Sequence, residues 1–307
     1  MLEIERVVVG VDFSIGSRSA LTQAAHRARG AGAELVVLHV IDRRIVRELA
    51  MAMRMSKEAV EQMATERAHE QLRQWLGDGA ESAHSRVVVG YPSDELLAAI
   101  DGERQLLVLG LSGGSGRGPG AGALAAMCAR RCHAPVLVVD DRHDRPFSHV
   151  VGCVDLSAAA PRIARWALAT AAADQANVDL LHVYRPPWRN INYRTPTQTD
   201  PELKQRYVAG LEATLREINE QAVSTDAWDD TLPHDAVPEV RRPIVAANSI
   251  GVGIVEHVAR CAADLLVIGR RGRIRLRHLP IGTTAERILR ALPCSVLVIP
   301  SSARDAL

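Results

Sequence analysis

The sequence predicts two α/β domains in tandem, each an open, mainly parallel five-stranded sheet with helices on both faces. Three observations carry that reading. The chain repeats itself, its short apolar runs alternate with helical patterns, and each half holds a glycine-rich segment after its fourth run. The repeat is the strongest of these. Arg6-Val-Val-Val-Gly-Val-Asp12-Phe-Ser14 is echoed by His149-Val-Val-Gly-Cys-Val-Asp155-Leu-Ser157, and Leu38-His39-Val40 by Leu181-His182-Val183. Asp155 follows Asp12 by 143 positions, and Val183 follows Val40 by the same 143. Farther on, Leu265-Leu-Val-Ile-Gly269 follows Leu106-Leu-Val-Leu-Gly110 by 159, so 16 residues are inserted between Val183 and Gly269. The Pro-, Asn- and Thr-rich stretch Arg185 to Pro201, which has no apolar period, is one contributor to the insertion.

Element by element, each repeat opens with a β-branched run, read as a strand buried on both faces. An Ala-rich helical stretch follows, Ser17 to Arg29 or Ala158 to Asp174, then a second strand ending in Leu-His-Val. Arg43 to Leu76, free of Gly and Pro and rich in Ala, Met, Glu and Arg, is expected to be one long helix, matched by Glu202 to Ala222. The turn Gly90-x-Pro92 starts a third helix. A fourth apolar run leads through the glycine-rich segment to a fourth helix, Ala285 to Leu292 in the second half. Pro135 to Val139 and Ser295 to Ile299 close the two sheets. The domains are expected at 1–140 and 148–302, joined by the polar stretch Asp140 to Pro146.

Composition excludes several classes. With 307 residues, 47% apolar and 24% charged, the chain can bury two ordinary cores. A net charge of +1, from 37 basic and 36 acidic residues, gives no general attraction to nucleic acid or anionic membrane. The start, Met1-Leu2-Glu3-Ile4-Glu5-Arg6, does not read as a signal peptide, and the apolar runs are shorter than a bilayer span. Five cysteines do not read as a disulfide framework, and Cys128 and Cys132, on one helix face, read as buried thiols. The expectation is a cytoplasmic protein with no membrane or nucleic-acid partner.

The chemistry concentrates in Gly269-x2-Gly272-x9-Gly282-Thr283-Thr284, placed between a strand and a helix. Glycines let the backbone turn sharply and approach a phosphate. A helix beginning after Gly282 presents free N–H groups and a positive end, to which Thr283 and Thr284 add hydroxyls. Arg270, Arg271, Arg273, Arg275 and Arg277 lie along this loop, either as a clamp on anions, for which Arg271 is best placed, or as solvated side chains. No Gly-x4-Gly-Lys-Ser/Thr loop, nucleophile elbow or paired-carboxylate site is present, and no cluster of metal-ligating residues stands out. Asp12 and Asp155 read equally as ligand contacts or as turn and N-cap residues. His39 and His182 read as packing at strand ends, and Cys153 as a small buried strand residue rather than a reactive thiol.

Taken together, the loop, the first-strand Asp, Leu-His-Val and Gly90-x-Pro92 resemble the universal stress protein family, over nearly the whole chain. The resemblance implies an adenine-nucleotide alpha hydrolase-like fold and ATP as ligand, with Mg2+ carried on its phosphates. It implies that Cys153, Val154 and Asp155 line the adenine and ribose end, that Val183 offers backbone groups to adenine, and that Gly269, Arg271, Gly272, Gly282, Thr283 and Thr284 hold ribose and phosphates. In the first domain the matching positions are Asp12, Val40, Gly110, Gly113 and Gly122, but the spacing after Gly113 is x8 and Ala123 replaces the hydroxyl residue. Loss of one charge-assisted hydrogen bond, worth about 1.5–3 kcal/mol, predicts weak or absent binding there. The resemblance further implies a stress-response sensor or regulator, its two domains paired within the chain through their last strands, with homodimerisation open; the absence of an evident general base argues against more than weak ATP hydrolysis. Slow ATP hydrolysis, or a scaffold that has lost nucleotide or takes another small molecule, are the alternatives.

Overall fold

The structure, a computed structural model, describes residues 3–77, 83–111, 122–187, 201–223, 239–272 and 281–301. It divides into two compact units, one formed by Glu3–Pro146 and the other by the residues from Phe147 on.

In the first unit the order is β1 (Arg6–Val11), α1 (Ile15–Ala31), β2 (Glu34–Asp42), α2 (Arg43–Met53), α3 (Lys57–Leu76), β3 (His84–Gly90), α4 (Pro92–Ala98), β4 (Gln105–Gly110), α5 (Ala123–Arg131) and β5 (Val136–Val139). The strands lie in the order β3-β2-β1-β4-β5, every pair parallel, with Val8 opposite Val36 on one side and Leu107 on the other. Val7, Val8 and Val9 are completely buried, which accounts for an unbroken β-branched run instead of an alternating one. Ser14 caps α1 by accepting from the Ser17 N–H, and Gly32 closes it with φ 62°, the left-handed turn that glycine makes without strain.

The expected long helix from Arg43 to Leu76 is two helices. Arg54 takes the left-handed conformation that terminates α2, and Ser56 accepts from the Ala59 N–H to start α3. Helix propensity through the stretch is high, but a capping serine at the right place offsets the interruption. The resulting hairpin buries Val46, Ala50 and Val60 against Ile41 and Val89, a small satellite core beside β2 and β3.

The second unit runs β6 (His149–Cys153), α6 (Ala160–Asp174), β7 (Asn177–Tyr184), α7 (Pro201–Val223), β8 (Val240–Arg241), β9 (Ile244–Ala246), α8 (Ile250–Cys261), β10 (Leu265–Gly269), α9 (Thr283–Ala291) and β11 (Ser295–Ile299). Its order is β11-β10-β6-β7-β8, with β9 also beside β7, again all parallel. The third strand is therefore in two pieces. Pro243 stands between them, lacks a ladder N–H, and leaves only its carbonyl to accept from the His182 N–H at 3.0 Å. On α7, Leu211, Leu215, Ile218 and Ala222 are buried at helical spacing.

In both sheets the chain winds outward from the first strand in one direction and then from the fourth strand in the other. The loops after β1 and β4, and those after β6 and β10, consequently diverge at the carboxyl ends of adjacent strands, where open sheets of this class leave a crevice.

Candidate functional site

The first-strand turn is built alike in the two units. Phe13 and Leu156, which follow Asp12 and Asp155, both have left-handed backbones, with φ 64° and 59°. Such a backbone costs a bulky residue of the order of 1–2 kcal/mol, and a cost of this kind repeated at matching positions marks a site held by its surroundings. The carboxylates hold the turns: Asp12 accepts from the Ser14 N–H at 3.1 Å and Asp155 from the Ser157 N–H at 3.2 Å. Neither aspartate is an N-cap, since Ser14 and Ala159 occupy those positions. His39 and His182 brace the same corner, each Nδ1–H donating at 2.8 Å to a carbonyl, of Val11 and of Val154. Burial lowers the His39 pKa, so the ring stays neutral.

In the second unit β10 ends at Gly269 beside this turn. A methyl group on Gly269 would lie 2.9 Å from Cδ1 of Ile163 on α6, and one on Gly272 would lie 2.6 Å from Oδ2 of Asp155. The loop backbone thus runs directly against the first-strand carboxylate, which any Cβ at Gly272 would crowd. The loop is closed at its far end by the Gly282 N–H donating to the Arg270 carbonyl at 2.8 Å, and Arg270 is tied to β11 through its N–H to Ile299 O at 2.7 Å. Gly282 is the N-cap of α9 and makes no side-chain capping bond, so Thr283 and Thr284 open a helix whose first N–H groups have no side-chain cap. The Nε of Arg271 is buried without a hydrogen-bond partner among the described residues. The Arg271 backbone lies beside the start of α9, its Cα 3.6 Å from where a Gly282 methyl would sit, and a cationic residue next to a helix N-terminus suits an anion.

Val183 belongs to this site through its backbone. Leu181 O accepts from Val154 N, whereas His182 N and Tyr184 O bond on the β9 side. Strand alternation therefore turns the Val183 peptide groups toward β6, past its last paired step at Cys153↔Leu181. They face the space above Val154 and Asp155. Burial pushes the half-buried Cys153 thiol well above its ordinary value, and the Asp155 charge adds to the shift. It is not a thiolate nucleophile.

The first unit places Asp12, Val40, Gly110 and Gly122 at the matching positions, while Gly113 lies outside the described residues, as do Arg273, Arg275 and Arg277. The loop edges repeat, with Gly122 N donating to Leu111 O at 3.0 Å and Leu111 N to Val139 O at 2.8 Å. Its interior contacts differ. A methyl on Gly110 would sit 2.5 Å from the backbone of Gly16, and Asp12 is also bonded by the Ser17 hydroxyl. Phe13 stacks on His39 at 4.6 Å and meets Trp75 edge-on at 6.0 Å, with the Arg18 guanidinium 4.6 Å from the Trp75 ring. Cys128 and Cys132 are buried, and burial pushes the Cys128 thiol up to about 12.

Reasoning from sequence did not anticipate Ser17, nor the left-handed Phe13 and Leu156, since neither side chain signals that backbone. It also missed a polar cluster at the opposite, amino end of β6, formed by His149, Asp179, Arg241, His257 and Cys261. The i, i+4 pair His257 and Cys261 was its one legible trace.

Comparison with known proteins agrees with this architecture. A family model described as the universal stress protein family matches residues 3–140 and 146–300. No curated protein matches the chain. Among solved structures, a universal stress protein from Archaeoglobus fulgidus DSM 4304 is 17% identical with a TM-score of 0.60, over 97% of this chain and 98% of that one. A protein from Pseudomonas aeruginosa UCBPP-PA14, described as a putative universal stress protein, is 17% identical with a TM-score of 0.61, over 99% of this chain and 95% of that one. At such identities the likeness shows the fold. No helix among the described residues is long and apolar enough to cross a membrane. With two family matches that together span almost the whole sequence, this chain belongs to the universal stress protein family and carries two of its domains in tandem.

Proposed function

We propose that the protein binds an adenine nucleotide, ATP with Mg2+, chiefly in its second domain, and serves as a ligand-dependent regulator in a stress response. The observation that carries this reading is the loop edge: Gly272 lies against Asp155, the buried Nε of Arg271 has no hydrogen-bond partner among the described residues, and α9 starts after Gly282 with no side-chain cap. The residues fit the group. Val183 offers its peptide N–H and C=O to the adenine edge, Asp155 accepts from ribose hydroxyls, and Arg271, Thr283, Thr284 and the first N–H groups of α9 donate to the phosphates. The divalent ion would neutralise phosphate charge. Ordering of the segment between Gly272 and Gly282 around the phosphates would change the surface that a partner reads.

Calorimetric titration of nucleotide-free protein with Mg-ATP tests the proposal. One site per chain is expected, with affinity reduced about tenfold to a hundredfold in Thr283→Ala through loss of a phosphate hydrogen bond. In Gly272→Val the branched side chain would displace the loop from Asp155, and binding is expected to vanish. No binding heat in the parent at any temperature, or unchanged affinity in both variants, would sink the idea and favour a scaffold.

A further inference from the structure

We propose that the second domain holds a transition-metal ion of the zinc class at the amino end of its sheet, ligated by His149, Asp179 and Cys261. The three residues come from separate elements: the start of β6, the interior of β7 and the last turn of α8. One donor atom from each lies within 4.8 Å of the others. His149 Nε2 and Asp179 Oδ1 are 3.4 Å apart, the separation expected of two donors on one tetrahedral ion with bonds of about 2.0–2.2 Å.

The surroundings are those of a ligand set. Nδ1–H of His149 donates to the Cys261 carbonyl at 3.1 Å, which holds the ring with Nε2 toward Asp179, the nitrogen that would bind the ion once it carries no proton. A metal-bound histidine is oriented in this way by its other nitrogen. His257 donates through Nε2 to Oδ2 of Asp179 at 3.1 Å, positioning the carboxylate with Oδ1 toward His149. Both donors already converge on a cation. The Arg241 guanidinium donates to Asp179 Oδ1 at 2.8 Å and to His149 Nε2 at 3.1 Å. The carboxylate and the ring are 97% and 92% buried as residues, but the Arg241 side chain is 55% exposed. It can swing into water and give its place to an ion, as a flexible arm that competes with the metal.

Nor is the cluster a feature of the fold. At the repeat's offsets the first domain has Arg6, Val36 and Gly102 in place of His149, Asp179 and Cys261. Nitrogen, oxygen and sulfur donors together suit zinc or cobalt and disfavour magnesium or calcium. Coordination converts the Cys261 thiol to thiolate, releasing one proton to solvent, and leaves a fourth position for water.

Cobalt(II) titration of the nucleotide-free full chain tests the site independently of any nucleotide reading. One equivalent should bind with tetrahedral d–d bands and a thiolate-to-cobalt charge-transfer band, and zinc should displace it. C261S should lose the charge-transfer band and bind at least about tenfold more weakly. R241A, a change at a side chain 55% exposed, should bind about tenfold more tightly because the competing cation is gone. Absence of tetrahedral cobalt in both the parent and R241A overturns the proposal. So does a charge-transfer band that persists in C261S, which would assign the thiolate to another cysteine of the chain.

Discussion

The two domains share the corner where a nucleotide would sit, yet they close it differently. In both, the first-strand aspartate holds a strained turn, a histidine braces the strand end, and the loop edges are pinned by matching bonds. In the first domain the aspartate is drawn inward, bonded by the Ser17 hydroxyl, and Gly110 is pressed onto the backbone of α1. In the second, Ala160 stands at the Ser17 position, and Asp155 faces the loop glycine Gly272. The first carboxylate is thus bonded by a hydroxyl on α1, whereas the second is bonded by the Ser157 hydroxyl of its own turn at 2.6 Å and has Gly272 beside it.

The sharpest way to break this contrast is to add one methyl to the matching glycines. In Gly110→Ala the new carbon meets backbone atoms of Gly16 at 2.5 and 2.6 Å, and backbone cannot swing aside. We expect destabilisation of the first domain by about 1–3 kcal/mol. In Gly269→Ala the nearest atom is the far end of Ile163 at 2.9 Å, with the Arg271 carbonyl at 3.1 Å, so a rotamer change relieves most of the clash and the cost should be smaller. Hydrogen exchange on the full chain, comparing amides of β1 with those of β6, reads each domain separately. Equal losses in the two variants would show that the helix–loop contact in the first domain is no tighter than its counterpart.

Much of this was legible in the sequence because the signals are geometric. A constant offset of 143 aligns Asp12 with Asp155 and His39 with His182, and buried parallel strands need unbroken apolar runs such as Val7 to Val9. The glycine spacing likewise placed the loop edges. Local chain breaks were harder. The interruption at Arg54 depends on Ser56 acting as a cap in a helix-prone stretch, and the split third strand depends on where Pro243 falls in a ladder that only pairing reveals. Tertiary clusters were not legible, because His149, Asp179 and Arg241 are joined by sheet register and not by spacing along the chain.

A smaller effect sharpens the comparison from the other side. The Ser17 hydroxyl, on a buried residue, accepts from the Asp12 N–H at 2.9 Å and donates to its carboxylate. Ser17→Ala should cost the first domain about 1 kcal/mol, the net worth of a buried hydrogen bond, and make its corner resemble the second. If nucleotide binding in the first domain is held back by this inward pull, the variant should also show a second calorimetric site for Mg-ATP. Reduced stability with no second site would place the defect in the loop between Gly110 and Gly122 instead.

The smallest expected difference is in acid. Asp140 follows β5 and accepts from the Arg142 N–H at 2.9 Å and from its guanidinium at 2.8 and 2.7 Å. The Arg142 hydrogen bonds hold this carboxyl below its usual range, against the opposing effect of burial. A depressed folded-state pKa means that the stabilisation is complete above the unfolded value of about 3.9. It is then lost as pH falls through the lower folded value. The matching position in the second domain is Pro300, which cannot titrate. Because Arg142 is itself 77% exposed at the side chain, solvent screening keeps the contribution under about 1 kcal/mol. Between pH 6 and pH 3, Asp140→Asn should therefore flatten the acid loss of protection in β5 while leaving β11 unchanged, as read by hydrogen exchange corrected for intrinsic rates. Parallel behaviour of β5 in the variant and the parent would mean that the Arg142 contact adds nothing to the first domain's stability.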